Sequence, residues 1–196
     1  MSFSFEDEEP EIHQAIQQAI SKADKPILLF AAASNNRAMR IEPIGYPARD
    51  ADHIICVNSS TVDDEKSVFS PRGITGRPNF SVIGEDVEAA WPMGLNEGRQ
   101  LKRMSGTSCA TPIAAGIAAL ILEFALKGAP EVRRLSKRKA ELWRAVGMRS
   151  VLKSCLTERH TDGTYNFLKP WALLKEDWDT IATRIDDALR LKHKWG

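Results

Sequence analysis

The stretch Arg103–Leu122, RMSGTSCATPIAAGIAALIL, joins a tight Gly-Thr-Ser turn directly to an apolar helix. Gly106 lets the backbone turn sharply, which places Thr107 and Ser108 at the start of the helix. The first N–H groups of a helix have no intrahelical partners, and the helix dipole favours negative charge beside them. An oxyanion formed by attack of Ser108 on a carbonyl would be stabilised there. Pro112 is read as a first-turn proline, where its missing N–H costs nothing. The competing local reading is a Ser or Thr that merely caps an ordinary buried helix.

The rest of the chain sets the frame for that turn. Its 196 residues suffice for one sizeable core, and 43 % hydrophobic with 27 % charged residues is ordinary for a globular domain. A net charge of +1 gives no electrostatic argument for a nucleic-acid partner. The basic segment Arg133–Arg144 reads as the solvated face of a helix. The three cysteines, Cys56, Cys109 and Cys155, have neither zinc-site spacing nor a disulfide framework, and Cys56 reads as a buried thiol. The acidic N-terminus lacks a signal-peptide pattern, which points to the cytoplasm if Met1 is the true start. No membrane partner is expected, because the apolar run Ile113–Leu126 is short and carries Glu123.

Helical spacing over residues 9–24 places Ile12, Ile16 and Ile20 on one face. The continuous apolar runs Ile27–Ala33 and His53–Ser60 read as buried parallel strands, and Phe80–Gly84 as a third. From Thr111 onward Ile113, Ile117, Leu120, Ile121 and Phe124 recur with helical spacing. A charged helix is expected at about 131–145 and a shorter one around Met148–Leu156. Trp178, Ile181, Ile185, Ala188 and Leu189 mark a C-terminal amphipathic helix, docked on the domain or on a partner. Alternating helices and apolar strands give an α/β class, with function at strand ends and helix starts.

Beyond these patterns, SGTSCATP resembles the serine motif of the subtilisin-like serine peptidases, the subtilase or peptidase S8 family. Other landmarks follow in the family's order. FAAASNN resembles the strand that ends in the oxyanion asparagine. GYPAR with DHIICVNSST, then FSPRG, resemble the turn, strand and loop that come next, and MSFSF resembles one wall of the specificity pocket. The resemblance covers roughly residues 1–174, so the domain reading is a partial peptidase domain over 1–174 and a helical extension over 175–196. The implied architecture is a subtilisin-like three-layer α/β fold with a mostly parallel sheet, its N-terminal part missing.

The resemblance implies a serine-type endopeptidase acting on polypeptide substrates through an acyl-enzyme at Ser108, without a cofactor. Asn35 and the Ser108 N–H would form the oxyanion hole. Ala32, Ser34 and Gly45 would line the first specificity pocket, with Ser2, Phe3 and Ser4 along one wall. In subtilisin-type sites, losing one side-chain oxyanion donor costs on the order of a hundredfold or more in rate, a value measured within the family rather than derived from this chain. Two positions depart from the pattern. Ser34 stands where the family has glycine, and Cys109 follows the nucleophile, where its side chain is expected to turn into the core rather than to act itself.

The family's triad runs Asp, His, Ser along the chain, and neither an Asp-Thr-Gly-like nor a His-Gly-like motif occurs here. Of the histidines, His13 reads as solvent-facing, His53 starts a strand, and HTDGT at His160–Thr164 offers His160 with Asp162 in a polar surface loop. A chain without the base is expected to be inactive alone, which leaves a non-catalytic peptide-binding derivative as the alternative. No metal site is expected, since Asp63-Asp64-Glu65 reads as a solvated turn.

Overall fold

The computed structural model describes residues 1–23, 26–36, 44–95, 98, 100–127, 130–159 and 164–191. The opening helix α1 (Pro10–Lys22) begins on a proline, whose fixed φ suits the first turn, and it buries Ile16. Strands β1 (Leu29–Ala32), β2 (Ile54–Ser60) and β3 (Phe80–Ile83) follow, then the short pair β4 (Val87–Ala90) and β5 (Leu101–Met104). Helix α2 (Thr107–Leu126) comes next, then two 3-10 stretches (Pro130–Lys137 and Lys139–Trp143) and α3 (Ala145–Cys155). Strands β6 (Thr157–Arg159) and β7 (Asn166–Leu168), a single turn α4 (Trp171–Leu174) and α5 (Trp178–Arg190) complete the order.

The main sheet runs β1-β2-β3-β7-β6. The first three pairings are parallel, and β6 joins β7 antiparallel. Parallel strands are covered on both faces, which explains why ILLFAAA and IICV are apolar at every position rather than at alternate ones. On one face Ala31, Ala33 and Ile54 pack with Ile16 of α1. On the other, Phe30, Ile55, Val57, Phe80 and Val82 meet α2, α3 and α5. The result is three layers, with α2 laid across β1, β2 and β3. Cys56 turns to the α1 face, where burial pushes its thiol up to about 12; Cys155, deep in the other core, is raised to about 11.

Several expectations need correction. Helix α2 starts at Thr107, four residues before the apolar periodicity begins, because Gly106 ends the preceding chain and Asn35 caps the first turn from outside. Pro112 therefore lies in the second turn rather than the first, and it denies a helical hydrogen bond to the Ser108 carbonyl. At 20 residues α2 is long and apolar enough to cross a membrane by length and composition alone, contrary to the shorter reading. Its inner face is instead spent on the sheet, with Ala110, Ala114, Ala118 and Ile121 buried. Leu120, expected on that face, is 54 % exposed.

The charged helix expected at 131–145 is two 3-10 stretches. Val132 and Leu135, three apart, are both buried, and an i, i+3 pair is eclipsed on one side of a 3-10 turn. One basic residue there is not simply solvated: Arg138 reaches the buried Asp186 of α5 at 3.2 Å, and Arg190 closes on the same carboxylate at 2.7 Å. Helix α5 is capped by Asp177, which accepts from the Thr180 N–H at 3.0 Å. Its Ile181, Ile185 and Leu189 enter the main core, while Trp178 stands edge-on to Phe124 at 5.9 Å and remains 44 % exposed.

Neighbouring leucine and isoleucine on α2 therefore separate by stability. Ile121→Ala should destabilise by about 2–5 kcal/mol, whereas Leu120→Ala should change stability by less than about 0.5 kcal/mol, read by urea unfolding of both variants.

Candidate active site

The carboxyl ends of β1 and β3 deliver two pieces of backbone to the start of α2. Beyond β3, Gly84 donates its N–H to the Ser60 carbonyl at 3.0 Å and accepts the Gly106 N–H at 2.8 Å. A Cβ on Gly84 would stand 2.5 Å from Ser59 Oγ and 2.8 Å from the Gly106 carbonyl, so only glycine fits between β2 and the turn. Ser59 is itself fixed, its N–H donating to Ser70 Oγ at 2.8 Å and its hydroxyl sharing a 2.8 Å hydrogen bond with Ser67. The FSPRG loop thus bears on the turn through β2.

Beyond β1, Asn35 reaches the same turn. Its Oδ1 accepts the Thr107 N–H at 2.8 Å and the Thr107 hydroxyl at 2.9 Å. Two donors on one oxygen fix which end of the amide is which, leaving Nδ2 as the donor end. An ideal Cβ on Gly106 would meet that Nδ2 at 2.9 Å, so the glycine leaves room for the amide as well as turning the chain. Of the first N–H groups of α2, Cys109 and Ala110 donate to the Gly106 carbonyl, at 2.9 and 3.2 Å. The Ser108 N–H has no partner among the described residues.

Ser108 itself is half-buried and exchanges two hydrogen bonds with Ser2. Its hydroxyl donates to the Ser2 carbonyl at 3.0 Å, and the Ser2 hydroxyl donates to the Ser108 carbonyl at 3.1 Å. The second bond answers Pro112, because the proline four residues on cannot donate to that carbonyl. Sequence reasoning gave Ser2 a place on a pocket wall and missed this role. The available signal was the spacing Ser108-x-x-x-Pro112, which orphans one carbonyl at the helix start.

The remaining candidates close a ring around the end of β1. Ala32 and Ser34 are buried, and the Gly45 N–H donates to the Ala33 carbonyl at 2.9 Å. Ala32 donates to the Met1 carbonyl at 3.0 Å, while Phe5 and Tyr46 exchange backbone bonds at 2.7 and 2.9 Å. Ser2, Phe3 and Ser4 therefore span between β1 and the Gly45–Tyr46 segment. Phe3 is half-exposed and rests its ring on Phe5 at 5.6 Å. Ser34 holds a φ of 148°, a conformation natural to glycine, and its hydroxyl accepts the Asn36 N–H at 3.2 Å. Cys109 is half-buried beside Ser108.

No described histidine joins this group. His13 pairs with Glu8 at 3.0 Å beside α1. His53 faces Asp50 at 3.2 Å, at the amino end of β2 and so at the opposite edge of the sheet from Ser108. His160 and Asp162 lie outside the described residues. Asp64, expected in a solvated turn, pairs with Lys169 at 2.7 Å.

A mostly parallel sheet, a serine at the start of the central helix and an asparagine amide locked beside it define the subtilisin-like class of α/β fold. The model of the subtilase family, peptidase S8, matches residues 1–168, and the chain belongs to that family. It is 32 % identical over 127 residues to an intracellular serine protease of Paenibacillus polymyxa, covering 64 % of this chain and 36 % of that protein. It is 28 % identical over 156 residues to subtilisin BL of Lederbergia lenta, covering 80 % and 49 %. Among solved structures, a cold-adapted subtilisin-like serine proteinase matches with TM-score 0.60 and 25 % identity, over 87 % of this chain and 53 % of that one. The prenylagaramide maturation protease PagA shares the fold with TM-score 0.58 and 21 % identity, over 95 % and 58 %. The chain thus spans half or less of the length of these two curated relatives.

Two substitutions at Asn35 separate its acceptor from its donor. Asn35→Ala strands the buried Thr107 N–H and hydroxyl and should destabilise by about 1–3 kcal/mol. Asn35→Asp keeps the acceptor, adds a charge favoured at a helix start, and should hold stability within about 1 kcal/mol of the parent. Ser34→Gly should stabilise by about 1 kcal/mol, the relieved strain outweighing the added chain entropy. Urea denaturation of the three variants reads all of these.

Proposed function

We propose that this chain carries the nucleophile and oxyanion side of a serine endopeptidase site that hydrolyses peptide bonds through an acyl-enzyme on Ser108. The observation that carries the reading is the Asn35–Thr107 pair of hydrogen bonds. It commits the amide oxygen to the helix start and presents Nδ2 and the unpaired Ser108 N–H as the two donors an oxyanion needs. An extended polypeptide would lie along Ser2–Ser4, with its side chain in the pocket of Ala32, Ser34 and Gly45.

Among the described residues Ser108 has no base beside it. Its hydroxyl donates to Ser2, and the two described histidines are paired elsewhere. A serine hydroxyl without an adjacent base is a weak nucleophile at neutral pH, so full activity needs an aspartate and a histidine supplied from outside the described residues. What remains is the acceleration available from oxyanion stabilisation and binding, about a thousand- to ten-thousandfold over water. The Ser108–Ser2 bond favours a second reading for the chain by itself, a non-catalytic module that binds extended peptide.

Two measurements on the 196-residue chain test this. A serine-directed phosphonate, followed by mass spectrometry, should leave Ser108 unmodified; stoichiometric labelling would show a competent base. Slow hydrolysis of an activated peptide ester should exceed the buffer rate and fall on the order of a hundredfold in Asn35→Ala. An Asn35→Ala variant as fast as the parent refutes the oxyanion role and leaves the binding module.

A further inference from the structure

At the amino ends of β2 and β3, across the sheet from Ser108, a cavity of about 210 Å3 opens between the turn before β2, the loop before β3 and one face of α3. Its polar lining is Asp52, Arg77, Arg149, Ser150 and Lys153. Three cations thus face one carboxylate across a space that would hold several waters, each with a liquid share of about 30 Å3. Arg149 and Lys153 share a side of α3 through i, i+4 spacing, with Ser150 flanking at i, i+3 from Lys153, and the Ser150 hydroxyl is already spent on the Ala188 carbonyl at 2.6 Å.

We infer that this cavity binds a phosphate group, free or as a small phosphate ester, between the guanidinium groups of Arg77 and Arg149. Both groups are aimed by neutral carbonyls rather than neutralised by acids. Arg77 Nη1 donates to the Arg49 carbonyl at 2.8 Å. Arg149 donates through Nη1 to the Ala51 carbonyl and through Nε to the Ala145 carbonyl at 3.2 Å. Among the described residues neither guanidinium forms an ion pair with a carboxylate; of the two nearby acids Asp52 lines the cavity and Asp50 is engaged by His53.

Burial weighs most against the charge on Arg149; Asp52 and Asp50 favour that charge, and the positive charge of Arg77 disfavours it. A tetrahedral dianion removes that repulsion and takes the N–H donors that the carbonyls leave free, a match to which the guanidinium fork is suited. The cavity is too small for more than the phosphate and a few further atoms. The arrangement is independent of the assignment of Ser108.

Inorganic phosphate titrated into the 196-residue chain by calorimetry tests the site, with chloride at equal ionic strength as the reference and thermal unfolding as a second readout. Saturable phosphate binding and a higher Tm in phosphate than in chloride are expected. Affinity should fall about tenfold or more in Arg77→Gln and in Arg149→Met, and persist in Arg133→Gln, an exposed cation outside the cavity. Arg77 is exposed on a loop, so Arg77→Gln serves even where Arg149→Met fails to fold. Glycerol phosphate binding more tightly than inorganic phosphate names a small ester as the occupant, and the reverse order names free phosphate. Absence of saturable binding, or unchanged affinity in Arg77→Gln, overturns the inference.

Discussion

One oxygen atom organises the working end of this molecule. Asn35 Oδ1 takes both the backbone N–H and the hydroxyl of Thr107, joining the end of a parallel strand to the first turn of the helix that crosses it. Thr107 is buried, so neither donor has water as an alternative, and an unmet buried donor costs about 1–3 kcal/mol. The same pair of bonds orients the amide. Fold and site are thereby set by one contact: the helix begins at Thr107 because Asn35 caps it, and Ser108 is mounted where it is because the helix begins there.

Around that contact the structure is a set of accommodations to small residues. Gly84 and Gly106 let three backbones meet within van der Waals range, and a methyl group at either would collide with a polar neighbour. Pro112 removes one helical hydrogen bond, and Ser2 restores it from 106 residues away in sequence. That exchange ties the first residues of the chain to the Gly106–Ser108 turn and keeps the Ser108 hydroxyl on a carbonyl oxygen. Ser34 is the one strained member, held at a glycine-like φ between a buried strand and the asparagine that must point at the helix.

The strands were legible in the sequence because each rests on local pattern, whereas Asn35 and Ser108 were singled out together by the resemblance to the subtilases. Parallel strands buried on both faces leave continuous apolar runs, and the turn and its asparagine have specific neighbours. What was not legible depended on partners distant in the chain. The start of α2 is set by Asn35, 72 residues earlier, so apolar periodicity alone placed it late and put Pro112 in the wrong turn. Leu120 fits the helical face by spacing yet points out, at 54 % exposure. The segment after α2 is charged enough to look like a solvated helix. Val132 and Leu135 instead enter a core shared with α5, and Arg138 reaches the buried Asp186.

The account stands or falls on the coupling between Asn35 and Thr107. A double-mutant cycle combining Asn35→Ala with Thr107→Ala, read by urea unfolding, isolates the interaction of Asn35 with the Thr107 hydroxyl. The expected coupling energy is about 1 kcal/mol or more, with the double variant less destabilised than the sum of the two single ones. Strict additivity would contradict the claim that one oxygen takes both donors of Thr107 and would leave the hold on the helix start to the backbone N–H alone.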